Sequence, residues 1–166
     1  MKLFFMATFF LSFAVYGQTC LSSISETSPA SQFVDNSDGT VTDVTLGLTW
    51  MRCSIGQTWQ VDSCVGDANE MTWQQALQAA HGLIYASKAG WRVPNIKELS
   101  SITERSCVRP AINEETFPAT PSDDFWTSTP SSTDPGRAWV IAFFNSSNSL
   151  KQKNLFVFTR LVRTAD

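Results

Sequence analysis

Three groups of residues have types that could carry chemistry: the lone histidine His81, the adjacent acid pairs Glu114-Glu115 and Asp123-Asp124, and the cysteines Cys20, Cys53, Cys64 and Cys107. A serine or cysteine nucleophile activated by an imidazole needs His81 as its base, because the chain has no other histidine. That residue closes a helical stretch beside Gly82, where a capping or solvated role accounts for it. Paired carboxylates suit glycoside hydrolysis only at a fixed separation across the scissile bond, and neighbours in a loop are ordinarily two solvated charges. No glycine-rich phosphate loop is present. The residue types therefore point away from an enzyme, and no cofactor is expected.

The cysteines belong to a different chemistry. After Met1 and Lys2 the run LFFMATFFLSFAV is apolar except for Thr8 and Ser12, and Val15-Tyr16-Gly17 ends in small residues of the kind a signal peptidase reads. Residues 1–17 are read as a signal peptide, with Gln18 opening the mature chain and export to periplasm, cell surface or medium. The run is short of the roughly 20 residues a membrane span needs, so no span is expected. Gln18-Thr19 are poor residues to precede a lipidated cysteine, which argues against lipidation of Cys20. Four cysteines in an exported chain imply disulfides, and three pairings are possible. The segment CSIGQTWQVDSC closes a short polar loop that favours Cys53–Cys64, leaving Cys20–Cys107 to tie the N-terminal extension to the body. A zinc site is disfavoured, because the chain has no CxxC pair and one histidine.

The formal net charge is −3, and no Lys/Arg cluster is denser than Lys151-Gln152-Lys153. A nucleic-acid partner, which needs a basic face, is not expected. The length left after residue 17 suits one domain with a single core.

Along the chain, residues 18–32 read as an extended lead-in and 33–166 as the domain. In FVDNSDGTVTD, Asp38-Gly39 reads as a tight turn between strands; aligned on a calcium loop, its first ligand position falls on Val34. Gly47 turns the chain into a strand in which Leu48 and Trp50 share a face. Two capping boxes announce helices. Thr72 with Gln75 opens one whose stripe is Trp73, Ala76, Leu77 and Ala80, and Asn95 with Glu98 opens a second that ends near Arg105. Residues 110–124 are proline-rich irregular structure, Phe125 to Ser128 a short strand, Arg137 to Phe144 a central strand covered on both faces, and Phe156 to Arg163 a closing strand. Strands, then helices, then strands make an α+β fold.

The cues FVDNSDGTVTDVTLGLTWMRC, TWQQAL, GWRVPNIKEL, RPAIN, FPATPSDDFWTSTP, AWVIAF and TRLVR occur in order from Phe33 to Arg163. Together they resemble the family typified by the C-terminal domain of the Legionella collagen-like adhesin. More loosely, GWRVPNIKEL is similar to the stretch before a helix in C-type-lectin-like folds, including the formylglycine-generating enzyme. The resemblance implies a C-type-lectin-like α+β domain with its first and last strands paired, displayed or secreted by a bacterium. It also implies a partner class, sulphated polysaccharide, and a homo-oligomer, a trimer. This sequence departs from that adhesin in having no collagen-like repeat.

Within GWRVPNIKEL, Pro94 sets the extended approach to the helix, Asn95 and Glu98 form its cap, and Trp91 is expected in the core. Arg92 is left without a local role, and is expected to meet a buried carboxylate or backbone carbonyls. A glycan-binding module uses tryptophan faces and, for a polyanion, basic side chains. Trp50, Trp73, Trp91 and Trp139 lie on apolar stripes and read as core. Trp59 and Trp126 are the better surface candidates, a core place being the alternative for each, with Arg105, Arg109, Arg137, Lys151 and Lys153 as the basic contacts for a polyanion.

Overall fold

The computed structural model describes residues 17–166. The signal peptide read in residues 1–17 lies, but for Gly17, outside the described residues. Short antiparallel strands and two helices build an α+β fold. Strands β1 (Thr19–Cys20), β2 (Phe33–Asp35), β3 (Thr40–Asp43) and β4 (Leu48–Met51) come first, followed by the hairpin β5 (Thr58–Gln60) and β6 (Ser63–Val65). Helices α1 (Trp73–Ala80) and α2 (Ile96–Ser101) occupy the middle. Strands β7 (Cys107–Val108), β8 (Asp124–Pro130), β9 (Arg137–Ala142), β10 (Ser147–Gln152) and β11 (Val162–Thr164) complete the order.

Two sheets carry the core. One runs β11-β4-β3-β2 and the other β10-β9-β8. The period-2 rule places Phe125 and Ile141 on one face of the β8–β9 pair and Trp126 and Val140 on the other. The first face packs with Val41, Trp50, Leu99, Phe117 and Phe143 in a cluster that joins the four-stranded sheet and α2. The second packs with Ala76 and Ala80 of α1, Trp91, Val93 and Leu161. β9 is therefore covered on both faces, as its apolar run requires.

Both helices start at the expected caps. Thr72 accepts from the Gln75 N–H, Asn95 accepts from the Lys97 and Glu98 N–H groups, and both boxes are closed by the reciprocal side chain. The disulfides are Cys20–Cys107 and Cys53–Cys64, and no cysteine is left for metal. Aspartates of the FVDNSDGTVTD stretch are spent separately: Asp38 receives the Thr40 N–H and pairs with Lys88, while Asp35 pairs with Arg52.

Three expectations about these elements are corrected. β11 pairs with β4, not with β2, so the first and last strands of that sheet sit on opposite edges, and β1 pairs instead with β7. Helix α2 stops at Ser101, a turn before Arg105, because Thr103 bridges to Ile112 and the Glu104 N–H is taken by the Ala111 carbonyl. The closing segment is regular only over Val162–Thr164. It is broken at Arg160, whose side chain turns fully inward.

Arg160 has no carboxylate partner. Its guanidinium donates to the carbonyls of Met51, at 2.9 Å, and Arg52, to Thr120 Oγ1 at 2.7 Å, and lies over the Phe117 ring at 4.9 Å. Burial pushes its pKa down to about 9, which still leaves it charged at neutral pH. Arg52 plays a similar part near the surface of the same region, donating to the carbonyls of Thr116 and Glu115, both at 2.8 Å.

The β5–β6 turn is built from Val61 at φ +43° and Asp62 at φ +64°, with Val61 97% exposed. A β-branched residue in the left-handed region is strained, and a two-residue hairpin turn of this shape prefers Asn and Gly. Val61→Asn is expected to raise stability by about 1 kcal/mol in urea unfolding. A variant of equal or lower stability would show that the turn is not strained in solution.

Candidate functional site

The capping box fixes where α1 begins and so where Trp73, its first residue, stands. The helix buries Ala76 and Ala80, leaves Trp73 and Leu77 half-buried at the rim, and turns Gln74, Gln78 and His81 to solvent. The Trp73 indole N–H donates to the Thr127 carbonyl at 2.8 Å, and its backbone N–H to the Lys153 carbonyl at 3.0 Å. The side chain of Lys153 then crosses the indole, with its ammonium 4.1 Å from the ring centroid and donating to the Pro135 carbonyl at 2.9 Å. Beside it Arg137 pairs with Asp134 at 3.2 Å.

These contacts form the walls of a trough made of three adjoining depressions. The first, about 400 Å³, has an apolar floor of Trp73 and Leu77 flanked by Gln74, Gln78 and His81. The second, about 440 Å³, shares Trp73 and Gln74 with it and adds Thr72, Lys153 and Asn154. The third, about 360 Å³, shares Lys153 and Asn154 with the second and reaches Asp134, Gly136, Arg137 and Gln152. The lining changes along its length from uncharged amides over an apolar floor to a lysine and the Arg137–Asp134 ion pair.

Of the candidate ligand residues, the structure brings Arg137 and Lys153 together here. Lys151 is tied to Asp124. Arg105 lies beside Lys97 in a shallow hollow on the outer side of α2. Arg109 lies over Phe144 at 4.9 Å. Trp59 is half-buried, with one face under the buried Arg52 guanidinium at 4.1 Å. Trp126 is corrected: it is fully buried, its indole N–H donating to the Met71 carbonyl at 2.8 Å, and offers no face to a ligand. Trp139, read as core, is only half-buried.

The GWRVPNIKEL residues make contacts within the fold. Trp91 is buried and Arg92 forms a two-pronged pair with Glu98, both bonds 2.7 Å. Burial raises the Glu98 pKa, but the bonds from Arg92 and the Asn95 N–H outweigh it and hold the carboxyl below its ordinary range. Arg92 thus meets a carboxylate, but a half-buried one, that of Glu98, which also closes the Asn95 capping box.

Residues weighed for catalysis are dispersed. His81 caps the C-terminus of α1 among Trp73, Gln74, Leu77 and Gln78, with no nucleophile or acid lining that depression. Asp124 is held by Lys151, whereas Glu114 and Glu115 line a separate groove of about 560 Å³ with Glu26 and Glu104. Among the described residues no group of histidines, cysteines or acids is placed to hold a metal ion.

The model of the Lcl C-terminal domain family matches residues 39–163. The chain belongs to that family. No curated protein matches it. The Lcl C-terminal domain is adhesin-associated and is not a known enzyme family. The match opens at Gly39 and closes at Arg163, so it contains the whole trough and the Cys53–Cys64 disulfide but excludes Cys20 and everything else before Gly39, β2 included. Among the described residues no helix is long and apolar enough to cross a membrane.

Trp73 fills both core and trough, whereas Lys153 serves the trough alone. Trp73→Ala is expected to cost about 2–4 kcal/mol, the loss of a half-buried aromatic. Lys153→Met should cost less than about 1 kcal/mol, the size of an exposed cation–π contact. Thermal unfolding of both variants tests this; equal losses would show that Lys153 is part of the packing.

Proposed function

We propose that this chain is an exported, non-catalytic binding module that recognises a surface glycan through the trough at α1. The trough's changing lining carries the reading. A pyranose ring has an apolar C–H face and a rim of hydroxyls, which suits the Trp73-Leu77 floor and the amides of Gln74, Gln78 and Asn154. Lys153 supplies a cation for an acidic substituent at the other end, with the Arg137–Asp134 ion pair beside it. Shallow form suits an extended chain that lies along the surface rather than a small molecule enclosed by it. The adhesin association of the Lcl C-terminal domain supports the same reading, as do two disulfides in a chain that opens with a signal-like run. We read the scaffold as C-type-lectin-like, on the two capped helices packed against short antiparallel strands.

The reading is tested on a glycan array that includes heparin, probed at about 10 mM and 150 mM salt, where the screening length falls from about 30 to 8 Å. The wild type should be retained on at least one glycan, more strongly at low salt. Lys153→Met should reduce that retention several-fold and flatten its salt dependence. No retention on any surface at low salt, or retention unchanged by Lys153→Met, contradicts the proposal.

A further inference from the structure

Residues 17–28 lie outside the matched family domain, yet they are fixed to it around two places, Cys20 and Thr27-Ser28. At the first, β1 pairs with β7, Cys20 is bonded to Cys107, and the Gln18 amide donates to the carbonyls of Pro110 at 2.7 Å and Ile112 at 2.6 Å. At the second, the Glu104 carboxylate accepts the backbone N–H groups of Thr27, at 3.0 Å, and Ser28, at 2.9 Å. Thr27 Oγ1 adds a bond to the Thr103 carbonyl at 2.8 Å and receives the Arg105 N–H at 2.9 Å. Between the two points residues 21–26 are exposed, and the 560 Å³ groove opens beside them.

The second point is unusual in its chemistry. Glu104 is 3% exposed, and the groove it lines presents Glu26, Glu114 and Glu115 but no lysine, arginine or histidine. Its neighbour Arg105 is exposed and lies on the α2 side with Lys97. Four neutral donors therefore hold the charge: the two N–H groups of Thr27 and Ser28, and the N–H and hydroxyl of Ser106, at 2.9 and 2.7 Å.

We propose that residues 17–28 are a strap closed by two independent locks, the Cys20–Cys107 disulfide and the Glu104 carboxylate, and that it opens only when both are released. The first lock opens by exchange with a dithiol reductant: the S–S bond takes up two electrons and two protons to give two thiols, and the dithiol becomes a disulfide. Cys20 is exposed, so that exchange has access. The second opens by protonation, because a carboxylic acid has one fewer acceptor and a new O–H with no acceptor provided by the strap's N–H groups. Burial raises the Glu104 pKa, yet the bonds from Ser106, Ser28 and Thr27 outweigh it and hold it below the ordinary value of 4.5. Its contribution is therefore complete above that value and disappears as pH falls through the lower, folded one. With the disulfide intact the detached segment is returned at high local concentration, and with the carboxylate intact the reduced strap stays seated.

The test is amide hydrogen exchange on the full chain, read as protection of the Thr27 and Ser28 N–H groups at pH 6.5 and about pH 3. Wild type, Cys20→Ser/Cys107→Ser, and that double variant with Glu104→Gln are compared. Protection should persist in the wild type at both pH values. It should fall at least tenfold in the double variant at the lower pH only, and in the Gln-containing variant at both, while Trp50 and Val140 amides stay protected in all. Loss in the wild type at low pH, retention in the double variant there, or loss of the Trp50 and Val140 amides together with the strap each overturns the proposal.

Discussion

A guanidinium buried without a carboxylate, that of Arg160, is the constraint around which the rest of the molecule is arranged. An isolated buried cation is costly unless dipoles surround it, and here the last carbonyls of β4, the Thr120 hydroxyl and the Phe117 ring do so. Those partners come from distant parts of the chain. The Met51 and Arg52 carbonyls end the central strand of one sheet, while Phe117 and Thr120 belong to the long irregular segment before β8. Past Ile112 that segment has no ladder, and Arg52 takes up two of its carbonyls, those of Glu115 and Thr116, while Arg160 holds its Thr120 hydroxyl. The frame that supports β8 is therefore held by point contacts from two cations rather than by regular pairing.

On that frame β8 and β9 present one face to each core cluster, and α1 lies against the second. The position of the trough follows. Trp73 is anchored to β8 through Thr127, and Lys153 is delivered to the indole face by the end of β10, which is itself paired to β9. Three elements joined by backbone hydrogen bonds thus set the separation of the aromatic floor from the basic end. Within the trough Arg137 is paired with Asp134, as Lys151 is with Asp124 and Arg92 with Glu98 elsewhere, so Lys153 is the trough cation without a carboxylate partner among the described residues.

What could be read from the residues alone was whatever obeys a local rule. Both capping boxes were legible because Thr72 and Asn95 satisfy N–H groups only two or three residues away. The end of α2 was not, since Thr103 and Glu104 are drawn off by Ile112, Ala111 and the strap, all remote in sequence. Trp126 looked exposed because Asp123 and Asp124 precede it; α1 and the Trp91 segment, remote in sequence, cover its face of β8. The alternation in FVFTRLVR puts Arg160 on the face of Phe156, Phe158 and Val162 but names no partner for it, and only the tertiary positions of Met51, Arg52 and Thr120 supply one. Trp73 had the opposite fate: its helical stripe predicts core, but as the first residue of α1 it has no preceding turn to cover it.

The central claim, that the face joining α1 to the ends of β9 and β10 is where a glycan lies, is tested most directly by a titration of the isotopically labelled protein. The glycan retained best on the array is added while backbone amide signals are followed. Saturable shifts confined to Trp73 through His81, Gly136-Arg137 and Gln152 through Asn154 are the predicted result. Saturable shifts centred instead on the Trp59 hairpin or on the Glu104 groove, with the trough unmoved, would contradict it.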